Sequence, residues 1–115
     1  MRWLLAALLA ATMCAPCAAS ASEYAPLNCA QAKSATEKTI CSNYALGQLE
    51  AATLYGIATS LVAMGQRGAI KDEQREWLKK REACGARVAC LTDIYDTRIR
   101  ALNDVIEGIA SRGPY

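Results

Sequence analysis

The sequence predicts an all-α fold: a small antiparallel three-helix bundle with a short N-terminal helical cap, stapled by disulfides. Apolar residues recur at steps of three and four positions in three long segments, which is the period of amphipathic helices. No segment shows the alternating pattern of a half-buried strand. Three long helices joined by short loops are expected to pack as antiparallel neighbours.

The first 21 residues have the layout of a secretory signal peptide. Arg2 supplies the positive start, residues 3–13 are uncharged, and Ala19-Ser20-Ala21 has the small-x-small form of a cleavage site. A membrane-spanning helix needs about 20 apolar residues, so this stretch is too short to be one. We predict cleavage near Ala21 and a periplasmic or secreted domain over residues 22–115.

A lipid anchor on a leader cysteine is the alternative interpretation of this segment. A lipoprotein keeps a lipidated cysteine as its first mature residue, with a small residue immediately before it. Met13 precedes Cys14 and Pro16 precedes Cys17, so neither cysteine has that context. The exported form without an anchor is therefore favoured, and no membrane span is expected.

The charge and residue content point away from catalysis and from nucleic-acid binding. Without Arg2 the domain has 12 Lys and Arg against 11 Asp and Glu, a net charge of +1, with the two signs interleaved. Such a balance gives no field that would attract nucleic acid or an anionic membrane. The chain has no histidine, and the Gly-Gln-Arg-Gly segment at 65–68 lacks the lysine of a phosphate-binding loop. We expect a non-enzymatic protein without a cofactor or a bound metal.

Four cysteines remain after cleavage, and an even number in a short exported chain indicates a disulfide framework. Four cysteines allow three pairings. The local pairs Cys29–Cys41 and Cys84–Cys90 are favoured because each brackets a short segment that can double back. A zinc site is the alternative, but neither pair has Cys-x-x-Cys spacing and no histidine is present.

Two capping signals open the mature domain. Asn28 is suited to cap a short helical turn, and Ser34 with Glu37 has the spacing of a capping box. A second short helix is therefore expected to run to about Ile40 or Cys41.

The first long helix is predicted from Tyr44 to Met64, with Ser42 or Asn43 as its N-cap, and residues 65–68 are expected to form a loop. Its apolar stripe is expected to face the core; the stripe consists of Leu46, Leu49, Thr53 or Leu54, Ile57, Leu61 and Met64.

The second long helix is predicted over residues 70–84, and Gly85 is placed to end it in a left-handed C-cap. The third is predicted from Cys90 to Gly113-Pro114. Its stripe is the most regular in the chain and consists of Leu91, Ile94, Tyr95, Arg98, Ile99, Leu102, Val105, Ile106 and Ile109.

The segment between the second and third long helices is the first candidate binding site. If Cys84 pairs with Cys90, residues 84–90 form a closed loop, and a preorganised loop binds at little ordering cost. The competing interpretation is that the bridge only fastens one helix to the next. The candidate contact residues are Gly85, Ala86, Arg87 and Val88.

Aromatic and arginine side chains form the second candidate. Helical spacing places Trp77 with Arg81 and Tyr95 with Arg98. We interpret them first as packing at the edge of the core, where arginine buries its stem. A groove near Trp77 and Tyr95 that holds a partner or a small molecule is the alternative. Tyr55 is interpreted as a packing aromatic.

One spacing pattern runs from Cys29 to Leu102: Cys…Glu…Ile-Cys, a long helix with Leu and Tyr, Gln-x-x-Trp-Leu-x-x-Arg-x-x-Cys, and Cys-Leu…Tyr-x-x-Arg-Ile-x-x-Leu. Besides the four cysteines, its main positions are Glu37, Tyr55, Gln74, Trp77, Arg81, Tyr95 and Arg98. In this pattern the chain resembles the LprI-like lysozyme-inhibitor N-terminal domain family. The segment from Gln74 onward is the specific part.

The resemblance implies an exported all-α domain that binds a protein partner, which for the family's named member is lysozyme, and motif residues that specify the fold. Two local features are candidate contacts with a basic glycosidase. One is the acidic cluster Asp72, Glu73 and Glu76, and the other is Arg87, which would reach the paired carboxylates of the active-site cleft. The alternative function is an envelope structural or stress module with a different protein partner.

Overall fold

A computed structural model describes residues 26–112 of the chain. The predicted signal peptide, its cleavage site, Cys14, Cys17 and the Gly113-Pro114 stop lie outside the described residues. Within this range there are helices and turns but no strands, so the all-α, disulfide-stapled bundle is confirmed. The helices are α1 (Ala35–Ser42), α2 (Gln48–Leu61), α3 (Arg67–Ala83) and α4 (Val88–Ser111), with 3-10 turns at Cys29–Gln31, Tyr44–Leu46 and Met64–Gln66.

The N-terminal cap forms as its capping signals predict. The Ser34 hydroxyl accepts from the Glu37 N–H at 3.0 Å, and the Glu37 carboxylate accepts from the Ser34 N–H at 3.3 Å. The Asn28 side chain accepts from the Ala30 N–H at 3.1 Å and closes the first turn. The buried Thr36 hydroxyl donates to the Glu82 carbonyl at 2.9 Å, which ties α1 to the end of α3.

The start of the first long helix differs from the prediction. Residues Tyr44–Leu46 form a separate 3-10 turn, and α2 begins only after Gly47, which has a left-handed φ of 94°. A Cβ at Gly47 would lie 2.9 Å from Cδ1 of Ile99 in α4. The break thus occurs where the chain must turn and also pass close to α4, and only glycine satisfies both demands.

The buried face of α2 also differs from the predicted stripe. The helix buries Gln48, Ala51, Tyr55 and Ala58, whereas Leu49 is 53% exposed and Met64 is 81% exposed. Ile57 and Leu61 are also exposed. Small alanines let α2 lie close along α4, its main packing partner, and the larger aliphatic residues are left on the outer side.

The two remaining helices begin slightly before their predicted starts. Helix α3 begins at Arg67 and includes Gly68, so the predicted 65–68 loop is reduced to a 3-10 turn. Gly85 follows α3 in the left-handed conformation, φ 60°, as predicted. Helix α4 begins at Val88, two residues before Cys90, so the connection between the helices is short.

The core consists of two clusters that follow one another along α2 and α4. The first surrounds Ile40, Leu46, Ala51, Cys84, Leu91 and Tyr95, and Trp77 and Ile99 pack against it. The second surrounds Tyr55, Ala58, Ile70 and Leu102. The short cap, the disulfides and the turn after α3 all meet at the first cluster, which is where the candidate site residues lie.

Candidate functional site

Two disulfides close the end of the bundle that holds the first core cluster. Cys29 is bonded to Cys41 and Cys84 to Cys90, so the local pairing is the one the protein adopts. The Cys84 side chain is fully buried, and Cys90 packs against the same cluster. Each bridge therefore anchors a short surface segment to the core.

The segment over residues 84–90 is a closed loop, as expected. Arg87 folds back on the end of α3: its Nε donates to the Cys84 carbonyl at 3.0 Å and its Nη2 to the Ala83 carbonyl at 3.2 Å. These carbonyls are among the acceptors that a helix C-terminus leaves unsatisfied, and a cation there is favoured by the helix dipole. Ala86 and Val88 remain exposed on the same loop.

Gln74 and Arg98 form a buried polar pair between α3 and α4. Arg98 is only 8% exposed, and its Nε and Nη2 donate to Oε1 of Gln74 at 3.1 and 2.9 Å. Burial lowers the pKa of Arg98, while Glu73 and Tyr55 act in the opposite direction. The carboxylate of Glu73 is 4.0 Å from Nη1 of Arg98 but is itself largely exposed.

Trp77, Arg81 and Tyr95 pack beside that pair. The Trp77 and Tyr95 rings meet edge to face at 5.2 Å, and Trp77 Nε1 donates to the Ile94 carbonyl at 3.1 Å. The Arg81 guanidinium lies 5.5 Å from the centre of the Trp77 ring, and its Nη1 donates to the Tyr95 hydroxyl at 3.4 Å. Burial raises the pKa of Tyr95, an effect that Arg81 partly offsets. These contacts support the interpretation as core-edge packing.

The space enclosed by these side chains is small. A cavity of about 20 Å³ lies between them and is also lined by Gln48 and Leu27. That volume fits one water-sized species. This cavity is too small for an organic ligand, whereas a separate open groove of about 450 Å³ is also lined by Trp77.

The predicted acidic cluster is largely neutralised by its neighbours. Asp72 pairs with Arg75 at 2.7 Å and Glu76 with Lys79 at 3.0 Å, both one turn further along α3. Glu73 faces Arg98. An open groove of about 450 Å³ runs between this part of α3 and α4. Each of these carboxylates therefore has a cation nearby, and all three remain largely exposed along the groove.

Helix α2 carries an exposed, uncharged apolar surface made of residues that the sequence assigned to the core. We call it the α2 outer stripe; it consists of Leu49, Ile57, Leu61 and Met64. No charged residue occurs from Ala51 to Gln66. A cleft of about 800 Å³ continues the stripe between the end of α2 and the last turns of α4. The cleft is also lined by Arg67, Asp104 and Arg112, so the apolar candidate for a protein contact is the stripe itself.

Gln48 is a buried site residue that sequence reasoning missed. It is 4% exposed, and its Oε1 accepts from the Leu27 N–H at 3.1 Å, which fixes the lead-in segment to α2. A polar residue directly after the glycine break carries no apolar signal. The only hint in the sequence is that Gln48, Ala51, Tyr55 and Ala58 recur at helical steps.

Residues 26–112 contain no group of three or more histidine, cysteine or acidic side chains placed to hold a metal ion. In the same range no helix combines the length and apolarity needed to cross a membrane. Comparisons of the chain with protein-family models, with curated proteins and with solved structures return no match.

Proposed function

We propose that this chain is an exported, non-enzymatic binding protein that blocks a cell-wall glycosidase of the lysozyme type. The closed loop over residues 84–90 is the observation that carries the proposal. A disulfide joins its ends, Gly85 sets its turn, and Arg87 bonds back to α3. Binding through a loop that is already ordered costs little conformational entropy.

The chemistry of Arg87 fits a glycosidase cleft. A guanidinium has five N–H donors, and the contacts with α3 use two of its nitrogens. The remaining donors on this exposed side chain are free to engage a carboxylate, and glycosidases carry two carboxyl groups beside the bond they cleave. The exposed Val88 adds an apolar contact next to the charge.

Two further features support the proposal. Disulfides are typical of proteins from oxidising compartments, which agrees with the predicted signal peptide. The neutralised acidic cluster and the net charge near zero argue for recognition by local fit, since no long-range field is present. The resemblance to the LprI-like family supplies lysozyme as the target to test first.

Hydrolysis of cell-wall substrate by c-type and g-type lysozymes, with the oxidised protein added, tests the proposal. We expect saturable inhibition, which Arg87→Glu weakens at least tenfold. Arg100→Glu, an exposed charge reversal on α4, is the matched control and leaves potency unchanged. Absence of inhibition of either enzyme at a large molar excess overturns the proposal. Equal potency of Arg87→Glu and the wild type removes Arg87 from the contact.

The α2 outer stripe favours a second candidate function, an envelope structural or stress module that binds another periplasmic protein. Its Leu49, Ile57 and Leu61 are large aliphatic side chains that are 53%, 41% and 44% exposed. Cross-linking in periplasmic extract under oxidising conditions separates the two candidates. A complex lost with Ile57→Glu and kept with Val88→Glu supports this module, and the reverse supports the loop.

A further inference from the structure

The small cavity beside Trp77 is lined by two hydrogen-bond donors that have no partner among the described residues. Nε of Arg81 is buried and has no hydrogen-bond partner in the described part of the chain. The Tyr95 hydroxyl accepts from Arg81, and its own proton has no acceptor among residues 26–112. Both side chains line the cavity of about 20 Å³.

The acceptors on the cavity wall are already in use. Oε1 of Gln74 takes two hydrogen bonds from Arg98, and Oε1 of Gln48 takes one from Leu27. The indole N–H of Trp77 is used by the Ile94 carbonyl. One lone pair on Gln48 and one on the Tyr95 hydroxyl are therefore the side-chain acceptors left for any species inside the cavity.

The residues that line the cavity also carry an excess of positive charge. Arg81 and Arg98 both line it, and none of its lining residues is acidic. The nearest carboxylate to Arg98, that of Glu73, is 4.0 Å away and lies mostly in solvent. Because Glu73 compensates Arg98 only in part and no lining residue is acidic, an anion here would supply a counter-charge for two guanidinium groups.

We propose that this cavity is a binding site for one monatomic halide ion, with chloride as the ligand available to the protein. The ion accepts hydrogen bonds from Nε of Arg81 and from the Tyr95 hydroxyl and lies near the guanidinium of Arg98. A water molecule fits the volume equally, but it brings no charge to balance the two guanidinium groups. Larger oxyanions such as sulfate do not fit.

Thermal unfolding of the oxidised protein at constant ionic strength tests the proposal, with chloride replaced stepwise by gluconate. We expect the Tm to rise with chloride, to saturate, and to gain about 5 °C at tenfold above the dissociation constant. Arg81→Gln removes the dependence on chloride. Arg100→Gln, a matched change of an exposed arginine on α4, keeps it.

Crystals of the wild-type protein grown in bromide give a readout that needs no variant. We expect an anomalous peak between Arg81, Tyr95 and Arg98. Density in the cavity without anomalous signal identifies a water and overturns the proposal. An equal Tm in chloride and gluconate also overturns it, as does an unchanged chloride dependence in Arg81→Gln. The test does not depend on lysozyme binding, so its result is separate from that of the proposed function.

Discussion

In the folded protein, replacement of Gln74 by Leu removes the acceptor that Arg98 uses twice. The guanidinium then stays buried, with the Glu73 carboxylate 4.0 Å away as its nearest ionic partner. Hydrogen bonds to charged groups contribute about 1.5–3 kcal/mol, and an uncompensated buried charge costs about 3–5 kcal/mol. Because Glu73 supplies partial compensation, we expect Gln74→Leu to lower the free energy of unfolding by about 3 kcal/mol.

The double variant separates loss of the acceptor from loss of packing. In Gln74→Leu with Arg98→Met both polar partners are replaced by apolar side chains of similar length, so no charge is left unpaired. We expect the double variant to be more stable than Gln74→Leu alone. Urea denaturation followed by circular dichroism gives the four free energies of unfolding of the cycle, those of the wild type, Gln74→Leu, Arg98→Met and the double variant. A cost below about 1 kcal/mol for Gln74→Leu, or strictly additive losses, would refute the reasoning.

Three further predictions concern the glycine break, the closed loop and the buried tyrosine. Gly47→Ala is expected to lower the free energy of unfolding by about 1–2 kcal/mol, measured by thermal unfolding. Adding Ile99→Val removes the Cδ1 atom 2.9 Å away and should recover part of that loss. If the losses of the two single variants simply add in the double variant, the contact is contradicted. Replacing Cys84 and Cys90 by serine opens a loop with a sequence separation of 6. We expect the free energy of unfolding in urea to fall by about 2 kcal/mol. An unchanged urea midpoint would contradict the structural role of this disulfide. The raised pKa of Tyr95 means that the folded state holds the phenol proton more tightly, so stability should fall as pH rises above 10.0, and Tyr95→Phe should flatten that fall.

The sequence was most informative where local chemistry decides the structure. The capping box at Ser34 and Glu37 and the left-handed Gly85 each depend on a few neighbouring residues, and both form as predicted. The local disulfide pairing was favoured for the same reason, because each pair closes a short segment. Helix type was predictable throughout, since the apolar period is a local property of the chain.

The sequence was misleading where a distant contact decides the structure. The interruption at Gly47 depends on the approach of Ile99, which is more than fifty positions away in the chain. The orientation of α2 depends on how closely α4 approaches it, and a search for large apolar residues finds Leu49 and Ile57 rather than the buried alanines. Which side of α2 faces the core was therefore not predictable from its own pattern.

The candidate site was predictable by residue type but not by arrangement. The spacing of Trp77, Arg81, Tyr95 and Arg98 indicated one cluster, and the structure brings them, together with Gln74, around one cavity. That Arg98 bonds to Gln74, and that Arg87 bonds back to the end of α3, depends on side-chain geometry between two helices. The sequence carries no local signal for either contact.

The pairing order of the cysteines has a consequence for how the protein matures. Cys29 pairs with the next cysteine along the domain, Cys41, and Cys84 pairs with the next, Cys90. Oxidation of neighbouring cysteines in chain order over residues 26–112 therefore produces the native connectivity directly. Neither bridge has to wait for the rest of the chain, and no isomerase is required to correct a mispaired intermediate.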